Sequence, residues 1–390
     1  MGRLKAQLEV SLKAGLRKIL GPILPQVRAL RRLPARWQAR RLAAPLTATR
    51  DLSVCYLTSQ FPNRPPLRNE IAHGGAVKLT FLAESFPHAF PAASLLYTVS
   101  SIPHPGQADI VRAARRKGLK VVLNQNGVAY PAWHGQGWEI PNQLQRESYL
   151  QADFIVYQSE FCRVGAEKFV GQSRAPWRVV YNPVDLELYR PRPQAEAHPA
   201  PILLLGGNQF NAYRVELAFQ VLGRVCREIP GARLLVTGKL WGENQALARE
   251  EAEGWLRKLK LTEQVELIGP YSQAQATAIF QRADLLLHTQ YNDASPTLIS
   301  EALAAGLPVV YSASGGVPEL VAPEAGIGIP VEASWEQISH PDPQKMAEAV
   351  LTVWEKHATY AAAARQSAEE RFALADFITA HREIFAQVLD

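Results

Sequence analysis

From residue 51 onward, short apolar segments alternate with stretches of helical composition. The apolar segments are continuous rather than interleaved with polar residues, which is typical of strands buried on both faces of a parallel sheet. Because helices must cover both faces of such a sheet, the pattern predicts an α/β fold. The predicted strands are 52–57, 94–99, 120–123, 154–157, 178–181, 202–205, 233–237, 265–268, 284–288 and 308–311. The predicted helices include 108–117, 215–228, 243–260 and 273–282.

A proline-rich segment, 189–201 (YRPRPQAEAHPAP), lacks apolar periodicity and is interpreted as a linker. The chain length of 390 residues agrees with two or three domains. We therefore predict two doubly wound, Rossmann-like domains that face a cleft, over residues 51–190 and 200–370. Ligands of open α/β sheets bind at the carboxyl ends of the strands, so the site is expected in the cleft.

Residues 1–50 carry twelve Lys or Arg and one acid, Glu9, whereas the remaining 340 residues have a net charge of −5. Apolar residues recur there at helical spacing, and Pro22 and Pro25 are expected to divide this extension into two helices. Two interpretations remain open. Residues 1–42 form an interfacial helix that binds an anionic membrane surface, or they pack on the protein body with a solvated basic face. Nothing else in the chain looks like a nucleic-acid-binding module, so nucleic acid is not an expected partner.

Composition and motifs exclude several classes of protein. The chain is 47% hydrophobic and 20% charged, as globular proteins are, which excludes a disordered tail or a fibre. The three cysteines lie far apart without a C-x-x-C pair, so we predict no disulfide framework, no zinc ribbon and a reducing, cytoplasmic compartment. No apolar run approaches the roughly 18 residues that span a bilayer. A G-x-G-x-x-G after a strand, a P-loop and a G-x-S-x-G are all absent, which disfavours dehydrogenases, P-loop enzymes and serine hydrolases.

The most informative segment is 283–321 (ADLLLHTQYNDASPTLISEALAAGLPVVYSASGGVPELV). Ser295-Pro296-Thr297 predicts a helix start, with serine at the N-cap and proline at the first helical position. Free N–H groups and the positive end of the helix dipole favour a phosphate there. Glu301 lies two turns into this helix and Asp293 lies just before the cap. One carboxylate is therefore predicted beside an anion site and another within reach of sugar hydroxyls; the alternative is a well-capped helix with solvated acids.

The spacing Asp293-x7-Glu301, followed by 302–310 (ALAAGLPVV) and 315–319 (GGVPE), resembles the C-terminal signature of family-4 glycosyltransferases. The resemblance covers about residues 51–390 and is most specific over 283–321. It implies the GT-B fold, a helix within 371–390 that crosses back to the first domain, and sugar transfer from a nucleotide donor with retention of configuration. It also implies that Asp293, where the family usually has glutamate, binds donor-sugar hydroxyls, and that Glu301 binds the ribose.

In this family an arginine and a lysine after the first strand of the nucleotide domain clamp the diphosphate. This chain has Asn208 near the first position and Arg214 near the second. The resemblance therefore assigns the clamp to Arg214, through its bidentate fork, with Lys239 as a second cation. Ser295 and Thr297 are assigned to the phosphate end of the following helix. For Arg214 the alternative is a solvated cation at the start of a surface helix.

In the first domain, Gly74 and Gly75 resemble the glycine-rich turn that meets the donor phosphate or the acceptor in this family. Asn126 stands where many members have a histidine that contacts the donor sugar. A side-chain amide cannot accept a proton at neutral pH and so cannot act as a base. A retaining mechanism tolerates this, because the donor phosphate takes the acceptor proton. The loop that follows either forms a sugar-stacking wall or packs on the domain face. Its ring-bearing residues are Tyr130, Trp133, His134 and Trp138.

These observations together predict a glycosyltransferase that needs no metal or other cofactor and takes a UDP- or GDP-linked sugar as substrate. Its expected catalytic residues are Asn126, Asp293 and Arg214. The expected acceptor is a glycan or a lipid-linked molecule of cell-envelope or exopolysaccharide synthesis, at the inner face of the cytoplasmic membrane. No Asp-x-Asp sequence supports the metal-dependent GT-A plan. The alternatives are a catalytically lapsed GT-B module that scaffolds a glycan-assembly complex, and a nucleotide-sugar epimerase or phosphorylase of the same fold.

Overall fold

The computed structural model describes residues 24–59, 61, 64–67, 70, 74–193 and 198–390. The strands are β1 Thr47–Ala48, β2 Val54–Tyr56, β3 Ala92–Ala93, β4 Leu95–Val99, β5 Lys120–Gln125, β6 Phe154–Tyr157, β7 Trp177–Val179, β8 Ile202–Leu205, β9 Arg233–Thr237, β10 Val265–Gly269, β11 Leu285–His288, β12 Val309–Ala313 and β13 Gly326–Pro330. The helices are α1 Leu24–Ala43, α2 Gly74–Ser85, α3 Gln107–Arg116, α4 Pro131–His134, α5 Glu139–Leu150, α6 Glu160–Phe169, α7 Ala212–Glu228, α8 Gln245–Leu259, α9 Gln273–Gln281, α10 Thr297–Ala304, α11 Val317–Leu320, α12 Pro343–Glu355, α13 His357–Arg371 and α14 Leu374–Leu389.

Two parallel sheets organise these elements, one in each half of the chain. The first has the order β2-β4-β5-β6-β7 and the second β10-β9-β8-β11-β12-β13. Central strands such as β4 (LLYTV) and β11 (LLLH) are buried along their whole length, because helices cover both faces of each sheet. This arrangement confirms the predicted α/β fold with two doubly wound domains.

The second sheet has a topological switch point between β8 and β11. The chain leaves β8 and adds β9 and β10 on one side, then returns to place β11, β12 and β13 on the other side. Because the connections after β8 and β11 run in opposite directions, a crevice opens at the carboxyl ends of these two strands. The carboxyl ends of β5 and β6 in the first sheet supply the residues that face it.

Helix α14 belongs to the core of the first domain although it follows the second domain in sequence. Five buried side chains of α14 share one apolar cluster with side chains of β2 and β4, including Val54 and Tyr97. The five are Phe377, Ala380, Ile384, Phe385 and Val388. Helix α13, directly before it, packs instead on α10 of the second domain.

Helix α1 packs on the first domain through its small residues. Ala39 and Ala43 are buried, and a Cβ atom added to Gly106, which precedes α3, would lie 2.5 Å from the Ala39 Cβ. Arg36 Nε contacts Asp109 at 3.2 Å. This part of the basic extension therefore packs on the body, whereas residues 1–23, where the first of the two predicted helices falls, lie outside the described residues. No helix in the described ranges is both long and apolar enough to cross a membrane.

Candidate functional site in the interdomain cleft

The loop after β8 is held by two buried side chains that donate to its own carbonyl groups. Gln209 Nε2 donates to the carbonyls of Gly206 and Gly207 at 3.2 and 2.8 Å. Arg214 Nη1 donates to the Asn208 carbonyl at 2.7 Å, and Nη2 lies 3.4 Å from the Gly206 carbonyl. Each terminal nitrogen of Arg214 therefore donates to a carbonyl of this loop, and its buried Nε has no partner among the described residues. The clamp on a diphosphate stays a prediction.

Lys239 follows β9 and lies beside the same loop. Its backbone N–H donates to Asn208 Oδ1 at 2.9 Å, and its carbonyl accepts from the Gln209 N–H at 2.7 Å. The two loops touch at Gly238, where a Cβ atom would lie 2.1 Å from the Gly207 carbonyl oxygen. The Lys239 side chain is exposed, which leaves its ammonium at the rim of the crevice.

The loop after β11 carries Asp293 into the cleft. The Asp293 Oδ2 atom lies 3.4 Å from Nε2 of His288, which is buried at the end of β11. Burial lowers the pKa of His288, and the Asp293 carboxylate opposes that shift. Burial also lowers the pKa of Arg214, again opposed by Asp293. The Asp293 carboxylate therefore interacts with two buried side chains, His288 and Arg214.

Helix α10 begins one residue later than the sequence predicts. Pro296 is its N-cap and makes no side-chain cap, and Thr297 is its first residue. The hydroxyl of Ser295 instead donates to the Gln158 carbonyl in the first domain at 3.2 Å, while Asn182 Nδ2 donates to the Ser295 carbonyl at 3.1 Å. The prediction of a Ser295 cap was wrong because the serine finds an acceptor across the domain boundary.

Glu301 lies on α10 beside two tyrosines. Burial raises the pKa of Glu301 to about 7, and a hydrogen bond from the Tyr189 hydroxyl opposes that shift. Tyr271, which follows β10, also faces Glu301, and its hydroxyl interacts with Thr237 and the Gly207 backbone. The carboxylate thus stands at the β8 side of the crevice, near the glycine loop, and Asp293 stands at the β11 side.

Asn126 lies at the end of β5 with its amide fully engaged. Its Oδ1 accepts from Gln158 Nε2 at 2.7 Å and from Lys78 Nζ at 3.4 Å. Its Nδ2 donates to Ser101 Oγ at 2.6 Å. The next residue, Gly127, lies against the Asp293 loop, because a Cβ atom there would be 3.0 Å from the Ala294 Cβ. Asn126 is therefore at the domain contact, but it is held by the first domain.

Gly74 and Gly75 are not in a turn but are the first two residues of α2. The preceding residues 71–73 lie outside the described part of the chain. One turn later α2 places Lys78, which is buried. The sequence analysis gave Lys78 no role, although its spacing of one helical turn from Gly74 was the available signal.

The predicted aromatic loop mostly packs rather than lining an open wall. Tyr130 is buried and lies edge-on to Trp335 of the second domain, with ring centroids 4.7 Å apart. Trp138 packs edge-on to Phe169 at 5.2 Å. Trp133 remains 45% exposed. The packing interpretation therefore holds for Tyr130 and Trp138.

The two domains touch through polar contacts at the start of α6. Ser159 Oγ donates to the Ala294 carbonyl at 2.7 Å. The Glu319 carboxylate, from α11, accepts the backbone N–H groups of Glu160 and Phe161 at 2.6 and 2.8 Å. A carboxylate at a helix N-terminus satisfies free N–H groups and complements the helix dipole. Glu319, like Lys78, was missed by the sequence analysis.

Comparison with known proteins finds a family model that resembles the second domain. Residues 191–366 match the model of "Glycosyl transferases group 1". The Schizosaccharomyces pombe phosphatidylinositol N-acetylglucosaminyltransferase gpi3 subunit is 22% identical over 55% of this chain and 45% of its own length. The D-inositol 3-phosphate glycosyltransferase of Mycobacterium leprae is 31% identical over 37% of this chain and 34% of its own. The chain thus spans less than half of these relatives.

Solved structures show the same architecture over most of the chain. The Anabaena protein HepE in complex with UDP superimposes with a TM-score of 0.66 at 15% identity, over 86% of this chain and 100% of HepE. Sucrose-phosphate synthase from Thermosynechococcus elongatus gives 0.62 at 17% identity, over 86% of this chain and 88% of that enzyme. The chain therefore has the GT-B fold of glycosyltransferases, and its second domain carries the group 1 match.

Proposed function

We propose that the protein transfers a sugar from a UDP- or GDP-linked donor to an acceptor hydroxyl, with retention of configuration. The observation that carries this proposal is the pair of acids, Asp293 and Glu301, on opposite sides of the crevice at the β8/β11 switch point. Glu301 accepts the ribose hydroxyls and Asp293 the hydroxyls of the donor sugar. The start of α10 at Thr297, together with Lys239 at the rim, faces the diphosphate.

The proposed reaction needs no side-chain base. Asn126 cannot carry a proton at neutral pH, and its amide is held in hydrogen bonds. The bond from the sugar C1 to the diphosphate breaks while the bond from C1 to the acceptor oxygen forms on the same face. The departing phosphate oxygen takes the proton of the acceptor hydroxyl. Asp293 fixes the sugar during this exchange and faces the positive charge that develops on it.

The proposed acceptor is a glycan or lipid-linked molecule of envelope or exopolysaccharide synthesis, met at an anionic membrane surface. The names of the two relatives, which specify a phosphatidylinositol and an inositol phosphate, support an acceptor that bears phosphate. On α1, Trp37, Arg40 and Arg41 are exposed, while Arg36 pairs with Asp109. A chain lacking residues 1–42 should lose co-sedimentation with anionic vesicles; unchanged co-sedimentation would end the membrane part of the proposal.

Nucleotide binding provides the direct test. The unfolding midpoint of the purified protein is measured with UDP, GDP, ADP and CMP and their sugars, without added metal. A ligand that binds only the folded state raises the midpoint. One nucleotide should give a rise that disappears in Glu301→Ala and persists in Glu263→Ala, a matched control at an exposed glutamate. Retention is then read from the anomeric configuration of the product by NMR.

A catalytically lapsed GT-B module is the second candidate. It is favoured by two observations: the Asn126 amide is occupied by neighbouring side chains, and both terminal nitrogens of Arg214 donate to loop carbonyls. Such a module retains the nucleotide crevice without turning over. Release of UDP or GDP that depends on added acceptor excludes it.

A further inference from the structure

A lysine that forms no ion pair with any described residue lies inside the first domain, at its contact with the second. Lys78 on α2 is 2% exposed. Its Nζ donates to Asn124 Oδ1 at 2.9 Å and to Asn126 Oδ1 at 3.4 Å. Gln158 Nε2 donates to the same two oxygens, at 3.3 and 2.7 Å. None of the ion pairs formed by the described residues includes Lys78, and the two hydrogen-bond acceptors of its Nζ among these residues are neutral amides.

The titratable groups that face Lys78 do not neutralise it. They are Cys162 on α6 and His381 on α14. Tyr97 on β4 is linked to Lys78 through Asn124, whose Nδ2 donates to the Tyr97 hydroxyl. Burial raises the pKa of Cys162 to about 12 and lowers the pKa of His381 to about 4, so both are neutral at pH 7. Burial also raises the pKa of Tyr97. The acid nearest to Cys162 is Glu319, whose carboxylate already binds the N-terminus of α6.

The cost of this arrangement argues for a ligand. Burying an ammonium group without an opposite charge is unfavourable, and burial lowers the pKa of Lys78 to about 7. Helix α2 has no acid in its first turn, so its positive end adds to the same charge. Neutral side chains would complete the Asn124, Asn126 and Gln158 network at lower cost. The lysine is therefore expected to gain its partner from outside the chain.

The position of the network indicates where that partner binds. Asn126 is followed by Gly127, which meets Ala294 next to Asp293. The Gln158 carbonyl accepts from Ser295, two residues before α10 begins. The unpaired charge thus lies directly behind the loop that we assign to the donor sugar and its phosphates.

We propose that the Lys78 ammonium binds a phosphate oxygen in the cleft and is the cation that the first domain contributes to the site. The proposal rests on the proposed function in identifying the anion as a phosphate. Two sources share this chemistry: the diphosphate of the donor and a phosphate on the acceptor. Lys78 would then supply positive charge to the phosphate. The two terminal nitrogens of Arg214 instead donate to carbonyls of their own loop.

The experiment compares the native protein with Lys78→Met, Lys78→Arg and the exposed control Lys258→Met. Unfolding midpoints are measured alone and with UDP, GDP, uridine, guanosine, inorganic pyrophosphate and glycerol phosphate. Lys78→Met should raise the midpoint without ligand, because an unpaired buried charge is removed. It should lower the affinity for phosphate-containing ligands on the order of 10- to 100-fold and leave the affinity for the nucleosides unchanged. Lys78→Arg should retain part of the phosphate effect.

The ligands separate the possible outcomes. A loss confined to UDP, GDP and pyrophosphate assigns Lys78 to the donor, and a loss confined to glycerol phosphate assigns it to the acceptor. Equal shifts in the native protein and Lys78→Met with every phosphate ligand would overturn the inference and leave the proposed function intact. A native protein that responds to no phosphate ligand would overturn both. For the native protein, phosphate affinity should fall as the pH rises through about 7, and this fall should be smaller in Lys78→Arg.

Discussion

The two walls of the cleft differ in how completely their polar atoms are satisfied. On the second-domain wall, several buried polar atoms have no hydrogen-bond partner among the residues that the structure describes. They are Arg214 Nε, His288 Nδ1, Gln209 Oε1 and Gln290 Oε1. On the first-domain wall, Asn124, Asn126 and Gln158 bond to one another and to neighbouring side chains. Unpaired buried polar groups are costly, so the group on the second wall marks where a polar ligand is expected, although Gln125 Oε1 and Asn182 Oδ1 of the first domain also have no partner among the described residues. Loss of the unpaired second-wall atoms should therefore chiefly change ligand binding, and loss of the first-wall amides should chiefly change stability, whereas Lys78 is expected to affect both.

The largest expected effect is the pH dependence of stability, which comes from a buried histidine behind the first wall. His381 is buried and bonded to Tyr97, and burial lowers its pKa from 6.5 to about 4. Between these pH values the unfolded chain binds the proton more tightly, so stability falls as the pH falls from 6.5 to 4. The loss is about 3 kcal/mol. Denaturant titrations at pH 7 and pH 4.5 should show a smaller difference for His381→Gln than for the native protein, with exposed His134→Gln as the control. Equal pH dependence in all three proteins would contradict the assignment.

The second effect concerns the donor sugar. Asp293→Asn should weaken the binding of a UDP- or GDP-sugar by about 2 kcal/mol, because a charged acceptor of sugar hydroxyls is lost. The free nucleotide should bind as before, since Glu301 remains. Calorimetric titration with nucleotide and with nucleotide-sugar measures both. Equal losses for the two ligands would show that the two acids do not divide the donor as proposed.

The third effect concerns the close contact between two loops of the second wall, at the point where Ser159 of the first domain meets them. A Cβ atom on Gly316 would lie 2.0 Å from the Ala294 carbonyl oxygen. Gly316→Ala should therefore destabilise the protein by about 2 kcal/mol through overpacking. Gly254→Ala, within α8, has no neighbour nearer than 3.9 Å and should stabilise by up to about 1 kcal/mol. Chemical denaturation checks both; a neutral Gly316→Ala would mean that the loops separate freely.

The smallest effect concerns Glu319, which joins the walls through α6. Glu319→Gln keeps the shape of the side chain but removes the charge that faces the helix N-terminus. We expect a loss of about 1 kcal/mol, and a smaller loss at high salt because ionic strength screens the charge. Thermal unfolding in low and high salt measures it, with Glu324→Gln as a control on an exposed acid. A salt-independent loss would indicate packing rather than charge.

The sheets were predictable because buried parallel strands are continuous apolar runs. The predicted strand 233–237 coincides with β9, and 120–123 falls within β5. Strand β13 was not predicted, because its sequence GIGIP alternates glycine with isoleucine and presents no apolar run. Each residue of β13 pairs with a residue of β12, and this pairing makes the segment a strand. The spacing of residues in the sequence does not reveal such a pairing.

The site was predictable only where a motif spans a few residues. Asp293 and Glu301 belong to one short motif, so the sequence alone nominates both as site residues, but it does not show that they stand on opposite sides of the crevice. The Ser295 cap was wrong because its competing acceptor, the Gln158 carbonyl, is 137 residues away in sequence. The neutral surroundings of the Lys78 ammonium come from Asn124 on β5 and His381 on α14, which only the tertiary fold brings together.

The return of α14 to the first domain has a consequence for biosynthesis. The apolar cluster around Val54 and Tyr97 is completed by Phe377 and Phe385, which the ribosome adds after the whole second domain. A nascent chain that has reached β13 therefore holds every strand of both sheets, yet the groove that receives α14 is still bare. The domain translated first is the one finished last. Limited proteolysis of chains stalled before and after residue 388 should show the first domain becoming resistant only in the longer chain.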